Sequence, residues 1–145
     1  MLIKRRDFLK KSCSACVGMS LLLPLLESCG TSAAVFKTIP ENNRLTIPKT
    51  VFETQPYAII RAQKISYDIL LKKSENDQFY AIYMKCTHRD SPVQFTKTSF
   101  VCNDHGSRFT IEGEVTKSPA KNNLTRLPVE TDAQSVFILI PKELI

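Results

Sequence analysis

Short apolar or alternating runs follow one another through the C-terminal part of the chain. They are rich in Ile, Val, Tyr and Phe, and Pro, Asn, Asp and Gly separate them. No stretch shows the sustained spacing of apolar residues that a helix requires. The runs are YAIIRA, YDILLKK, FYAIYMKC, SFVCN, SRFTI, GEVTK, LTRLPVE and SVFILIP. The pattern therefore predicts a small all-β domain over residues 45–145, built as a sandwich or a barrel.

The N-terminal segment, residues 1–28, has a different character. A basic start is followed by a mostly apolar stretch that Pro24 interrupts and that is shorter than the about 20 residues of a spanning helix. This order is typical of an export signal, although a basic amphipathic helix is the alternative. The run KRRDFLKKS, with Arg5 and Arg6, resembles the twin-arginine signal. That resemblance implies export of a protein that has already folded.

The end of the same segment, LLESCG, resembles a bacterial lipobox. The resemblance implies that Cys29 is lipidated and becomes the mature N-terminus, with the protein held on the outer face of a membrane. Glu27 departs from the usual pattern, so an uncleaved or differently cleaved signal is the alternative. Polar and small residues follow, and we expect residues 29–44 to form a tether.

Charge argues against a nucleic-acid partner. The formal net charge of the 145-residue chain is +6, and half of it belongs to residues 1–28, which hold five Lys and Arg against two acidic residues. The rest of the chain shows no cluster of basic residues with interleaved aromatic side chains, so we expect no nucleic-acid binding.

The cysteines divide between the signal and the domain. Cys13 and Cys16 form a C-x-x-C inside the apolar part of the signal, and Cys29 is assigned to lipid. Cys86 and Cys102 remain. In an exported protein two such cysteines form a disulfide by default, unless a metal takes the thiolates.

Both histidines of the chain lie beside these two cysteines. Cys86 and His88 form C-x-H, Cys102 and His105 form C-x-x-H, and thirteen residues separate the two pairs. Each cysteine is predicted to end a strand and each histidine to lie in the loop that follows, so two strand ends each offer one thiolate and one imidazole. A zinc site usually takes like residues from one segment. A 2Fe-2S centre with two thiolates on one iron and two imidazoles on the other takes one of each from each loop.

The runs CTH and CNDHGS together resemble the Rieske iron-sulfur motif, C-x-H with C-x-x-H-G-S, which Gly106 and Ser107 complete. The resemblance extends over residues 45–145. It implies a Rieske-type antiparallel β-sandwich with a small cluster-binding subdomain, and one 2Fe-2S cluster per chain. It also implies that the two cysteines bind the inner iron and the two histidines bind the outer iron.

Some positions depart from the respiratory members of that family. Those proteins have a disulfide between the two cluster loops, at the positions of Ser91 and Asp104 here, and a tyrosine hydrogen-bond donor at the position of Phe109. Ser107 is expected to keep its donor role, and Pro119 is expected to cover the cluster from a third loop. Phe109 is equally well explained as an ordinary core residue. Fewer donors and a nearby carboxylate predict a potential below that of the quinol-oxidising relatives.

Three functions stay open. The first is a one-electron carrier or the iron-sulfur subunit of a membrane oxidoreductase, with a cytochrome or an oxidoreductase large subunit as partner and quinol as a further candidate. The second is the ferredoxin component of a ring-hydroxylating oxygenase, which the export signal opposes. The third is a zinc-containing, non-redox binding module. Stand-alone catalysis is not expected, because no nucleophile with a base and no paired acid-base carboxylates stand out.

Overall fold

The computed structural model of the protein describes residues 33–145, and in this range the chain forms strands, loops and two short 3-10 segments, Lys49–Phe52 and Lys142–Leu144. The strands are β1 (Ala34–Thr38), β2 (Arg44–Pro48), β3 (Tyr57–Ala62), β4 (Ile69–Lys73), β5 (Phe79–Tyr83), β6 (Gln94–Phe95), β7 (Ser99–Val101), β8 (Arg108–Thr110), β9 (Val115–Lys117), β10 (Arg126–Leu127), β11 (Val129–Thr131) and β12 (Ser135–Leu139). The predicted all-β fold is confirmed. Within this range no helix is long and apolar enough to cross a membrane.

The strands form three sheets. The central sheet has the order β1-β3-β4-β5-β10, a second sheet has the order β11-β12-β2, and a third has the order β6-β7-β8-β9. Neighbouring strands are antiparallel except β1 and β3, which are parallel. The third sheet and the loops that leave it form the small subdomain that carries the candidate site.

The central sheet is buried on both faces, and this makes the domain three layers thick. Along β4, Ile69 and Leu71 face one hydrophobic core and Leu70 faces the other, because successive side chains of a strand point in opposite directions. The first core also contains Val136 of β12 and therefore lies against the second sheet. The second core contains Phe100 of β7 and lies against the third sheet. Such two-sided burial gives β4 its nearly continuous apolar sequence.

Strand β1 and Arg44 of β2 lie before Leu45, the residue at which the sequence predicted the domain to begin. Strand β1 pairs with β3 in register, with Ala34 opposite Ala58, and its Phe36 packs against the first core. Five residues of modest apolar character give no local signal for such a pairing, since the partner strand lies more than twenty residues away. The predicted signal and the residues Arg5, Arg6 and Cys29 lie outside the described residues.

Candidate metal centre

Loop 1 (residues 84–93) connects β5 to β6 and carries the first Cys-His pair. The run FYAIYMKC continues as a strand only to Tyr83, so Cys86 lies in the loop rather than at the strand end. The N–H of Cys86 donates to the carbonyl of Ser91 at 2.7 Å, which closes the loop behind His88. The Tyr67 hydroxyl also donates to the carbonyl of Asp90, so a residue before β4 holds the tip of the loop.

Loop 2 (residues 102–107) connects β7 to β8 and carries the second pair. The N–H of Gly106 donates to the carbonyl of Cys102, and the N–H of Cys102 donates to the carbonyl of Ser107, each at 2.9 Å. Gly106 has a φ of +76°, in the left-handed region. Added side-chain atoms would meet nothing within 4 Å, so backbone conformation rather than space favours glycine at this position.

Loop 3 (residues 118–124) follows β9 and contacts both other loops. The N–H of Ala120 donates to Oγ of Ser107 at 3.0 Å, and Oγ1 of Thr87 donates to the carbonyl of Asn122 at 2.6 Å. Pro119 therefore lies beside loop 2. The roles of Thr87, Ala120 and Asn122 had no signal in the sequence, because each of these two hydrogen bonds involves a main-chain N–H or carbonyl group.

The two cysteines are buried side by side. Cys86 and Cys102 are each 1% exposed, and both are free thiols. Burial raises the pKa of the Cys102 thiol above its ordinary value, and a hydrogen bond with Cys86 raises this pKa further. The backbone N–H groups of Asp104 and His105 act in the opposite direction, because each donates to the Cys102 sulfur. Loop 2 thus directs two donors at one thiol.

The two histidines lie nearer the surface and close to each other. The ring centroids of His88 and His105 are 4.9 Å apart, and the ring planes meet at 82°. His88 is half-buried and His105 is exposed. The Nδ1 atom of His88 is buried and has no hydrogen-bond partner among the described residues. A buried ring nitrogen without a partner is costly, unless it binds a group that the protein holds at this site.

The four side chains therefore form a buried thiol pair and a more exposed imidazole pair. In the described part of the chain, no group of three or more His, Cys, Asp or Glu side chains is placed to hold a single metal ion. Two adjacent thiols and an imidazole nitrogen without a partner are the donors that a mixed Cys-His 2Fe-2S cluster requires. The residues present thus fit that cofactor.

The remaining predicted site residues surround these donors. Ser107 is fully buried, and because its Oγ accepts from Ala120, its own proton stays available for donation. Phe109 is fully buried in the core that also contains both cysteines, and this position suits a core residue as well as a neighbour of the site. The hydroxyl of Ser91 donates to Oδ2 of Asp104 at 2.5 Å. Loops 1 and 2 are thus joined through the two positions where the sequence predicted no disulfide.

Comparison with known proteins gives a family for this arrangement. The profile of the Rieske [2Fe-2S] domain matches residues 34–128, which include the central sheet, all three loops and both Cys-His pairs. The chain belongs to the Rieske [2Fe-2S] domain family. Its cofactor is accordingly a Rieske-type 2Fe-2S cluster, as the sequence predicted. Curated proteins provide no match.

Solved Rieske structures share the fold. The plasma-membrane Rieske protein PetC3 of the cyanobacterium Synechocystis PCC 6803 is 20% identical with a TM-score of 0.52, and the alignment covers 63% of this chain and 93% of PetC3. The quaternary ammonium Rieske monooxygenase CntA in complex with L-carnitine is 19% identical with a TM-score of 0.52, and the alignment covers 68% of this chain. This chain spans only 32% of that monooxygenase. At these identities the likeness concerns the fold.

Proposed function

We propose that this Rieske protein transfers single electrons at the outer face of a bacterial membrane, as a mobile carrier or as the iron-sulfur subunit of an oxidoreductase. Cys86 and Cys102 would hold the inner iron, and His88 and His105 the outer iron. The observation that carries this proposal is the division of the four donors into a buried thiol pair and an imidazole pair 4.9 Å apart nearer the surface.

The burial of the four donor residues determines from which side an electron can enter or leave the site. When bound, the cluster supplies reversible one-electron chemistry. Burial of the two thiols keeps water from that end of the site, while the exposed His105 ring is the part of the donor set that a partner can approach. If Nδ1 of His88 binds the outer iron, the ring proton lies on Nε2, and this N–H is the hydrogen-bond donor that the ring would offer to a partner.

Hydrogen-bond donors around the site determine its reduction potential. Ser107 has a proton to donate, and the N–H groups of Asp104 and His105 already point at a cysteine sulfur. Phe109 has none to offer. We therefore expect a potential below that of quinol-oxidising Rieske proteins, within the roughly −150 to +300 mV that histidine ligation spans. A potentiometric titration followed by circular dichroism measures this value directly.

Location is inferred from the N-terminal sequence. Arg5 and Arg6 stand where a twin-arginine signal has its arginines, and Cys29 stands where a lipobox has its cysteine. A protein that receives its cluster in the cytoplasm has to cross the membrane folded, and this supports the assignment. Redox partners on the membrane surface, such as a cytochrome, an oxidoreductase large subunit or quinol, suit this location.

Metal analysis and spectroscopy of the full chain test the proposal. The protein, purified from bacteria that assemble iron-sulfur clusters, is expected to contain two irons and two sulfides per chain. After reduction it should give a rhombic electron paramagnetic resonance spectrum with the low average g value of a mixed Cys-His cluster. Stoichiometric zinc without iron would instead support the zinc-containing binding module.

Cell fractionation separates the remaining alternatives. The wild-type chain should be found with the membranes, Cys29→Ser should be released into the exported soluble fraction, and Arg5→Lys/Arg6→Lys should remain in the cytoplasm. A wild-type chain that is loaded with its cluster and stays in the cytoplasm would contradict the exported carrier. It would favour the ferredoxin component of a ring-hydroxylating oxygenase.

A further inference from the structure

Four exposed basic residues lie on and beside the loops that carry the candidate ligands. They are Arg89, Arg108, Lys117 and Lys121, and we call them the basic rim. They belong to four separate segments, loop 1, β8, β9 and loop 3, so they form no basic cluster in the sequence. The fold is therefore what brings them to one end of the domain.

Two rim residues are connected to the ligand-bearing loops through the main chain. Arg89 directly follows His88 in loop 1. Lys121 lies between Ala120, whose N–H donates to Ser107 in loop 2, and Asn122, whose carbonyl accepts from Thr87 in loop 1. The main chain of Lys121 is thus held against both ligand-bearing loops, while its side chain is exposed.

The other two rim residues face each other across a strand pair. Arg108 of β8 directly follows loop 2 and is in register with Lys117 of β9, beside a β-bulge between Arg108 and Phe109. Both side chains are exposed, whereas the neighbouring Phe109 is buried in the core. Like charges in direct cross-strand register destabilise a sheet. The stability of the sheet therefore does not account for two positive side chains at these positions. Local arrangements that cost stability are expected mainly at functional sites.

Few acidic side chains neutralise the positive charge of the basic rim. Among residues 33–145, none of the four rim side chains forms an ion pair with a carboxylate. The nearby Asp90 pairs with Lys85 at 3.0 Å, outside the rim. Asp104 accepts the Ser91 hydroxyl and is the single acidic side chain of loop 2. The surface around the histidines therefore carries an excess of positive charge.

We propose that the basic rim is the docking surface for an acidic redox protein. The inference rests on the proposed electron transfer, because a partner that exchanges electrons through the imidazoles has to approach the surface that the rim surrounds. Positive charge around the reactive edge raises the encounter rate with a negatively charged partner and lowers it for a positively charged one. No large apolar side chain is exposed on the described parts of the three loops, so charge rather than apolar contact defines this surface.

Stopped-flow oxidation of the reduced, cluster-loaded full chain tests the rim. Two one-electron oxidants of opposite charge are compared, hexacyanoferrate(III) and tris(phenanthroline)cobalt(III), and each takes one electron from the protein. We expect the rate constant with the anion to fall as sodium chloride is added and that with the cation to rise. Only the signs of the two salt dependences are compared, so the different driving forces of the two oxidants do not affect the result.

Charge reversal assigns the effect to the rim. Arg89→Glu/Lys121→Glu should lower the rate constant with hexacyanoferrate(III) about tenfold at low salt. The control, Lys64→Glu/Lys142→Glu, changes the net charge equally at exposed positions outside the loops and should change it less than about twofold. Equal effects of the two double variants, or no dependence on salt, would overturn the rim as a docking surface.

Two competitors identify the class of partner. Polyglutamate should inhibit the reaction of the wild type with hexacyanoferrate(III) and not that of the rim variant. Inhibition by phosphatidylglycerol vesicles alone would overturn the acidic protein in favour of a lipid surface. Normal spectra and iron content with a failed rate test would overturn this inference only, whereas a chain that binds no iron would overturn both it and the proposed function.

Discussion

Oγ of Ser91 lies 2.5 Å from Oδ2 of Asp104, and this hydrogen bond joins the two ligand-bearing loops. The Thr87–Asn122 bond joins loop 1 to loop 3, and the Ala120–Ser107 bond joins loop 3 to loop 2. Each pair of loops is thus connected by at least one hydrogen bond. A closed set of this kind restricts the relative movement of all three loops without a covalent link.

We predict that Ser91 and Asp104 stabilise the loops as a coupled pair. In a double-mutant cycle with Ser91→Ala and Asp104→Ala, the coupling free energy of unfolding should be about 0.5–1.5 kcal/mol, the usual net value of one hydrogen bond. Each single variant and the double variant should also lose iron to a chelator at similar, increased rates. Chemical unfolding and the loss of visible absorption measure the two quantities.

A hairpin pair provides the control for this cycle. Thr96 and Ser99 also form an exposed side-chain hydrogen bond, with 2.7 Å between their oxygens, but both belong to the β6–β7 hairpin, where Ser99 begins β7. Their alanine variants should leave the rate of iron loss unchanged. Additive effects of Ser91→Ala and Asp104→Ala would show that the contact does not hold the loops together.

Removal of single ligands should abolish the cluster without unfolding the strands. Cys86→Ser or His105→Ala leaves one iron with an incomplete set of donors, and we expect less than about a tenth of the wild-type iron content, since second-shell changes alone cost 10–100-fold in metal affinity. Iron analysis and far-ultraviolet circular dichroism separate site loss from unfolding. Cys29→Ser is the matched control and should keep its full iron content. A His105→Ala protein with a normal spectrum would contradict the ligand assignment.

Phe109→Tyr should raise the reduction potential. Phe109 is fully buried in the core that contains both cysteines, so a new hydroxyl there has a sulfur acceptor within the same cluster of residues. A donor to a cluster sulfur favours the more negative, reduced state. The control is Phe52→Tyr, since Phe52 is buried in the first core, which contains neither cysteine. Equal potentials for all three proteins would limit Phe109 to its packing role.

Asp132 should make folding stability depend on pH. Its carboxylate accepts the N–H groups of Gln134 and Ser135 at 2.8 and 2.6 Å, and these bonds lower its pKa below the ordinary 3.8. A lowered pKa means that the contribution is present above 3.8 and is lost as pH falls through the lower value in the folded state. The stability difference between wild type and Asp132→Ala should therefore be largest near neutrality and shrink on acidification.

Unfolding at several pH values, with both proteins in the same cluster state, checks this prediction. Glu130→Ala removes an acidic side chain from the same hairpin and should show a smaller change over the same range. A carbon-13 titration of the Asp132 carboxyl gives its pKa independently, and a midpoint above 3.8 would contradict the assigned hydrogen bonds.

Local sequence patterns were enough to predict the all-β class and to identify the four candidate ligands. Both follow from local patterns, because the alternation of a strand and the spacing of C-x-H and C-x-x-H each occupy only a few consecutive residues. Gly106 was named because it completes the C-x-x-H-G-S motif, and its left-handed φ is a backbone conformation that favours glycine.

The contacts that hold the three loops together, and the residues that surround the site, depend on the tertiary structure. Strand β1 became part of the sheet because it pairs with β3, and loop 3 reached the site through a backbone N–H and a carbonyl. The Ser91–Asp104 hydrogen bond likewise joins residues from two different loops. Arg108 and Lys117 lie opposite each other only because β8 pairs with β9 in this register. Main-chain groups are common to every residue, and contacts between distant segments follow from packing, so the amino-acid pattern could not specify them.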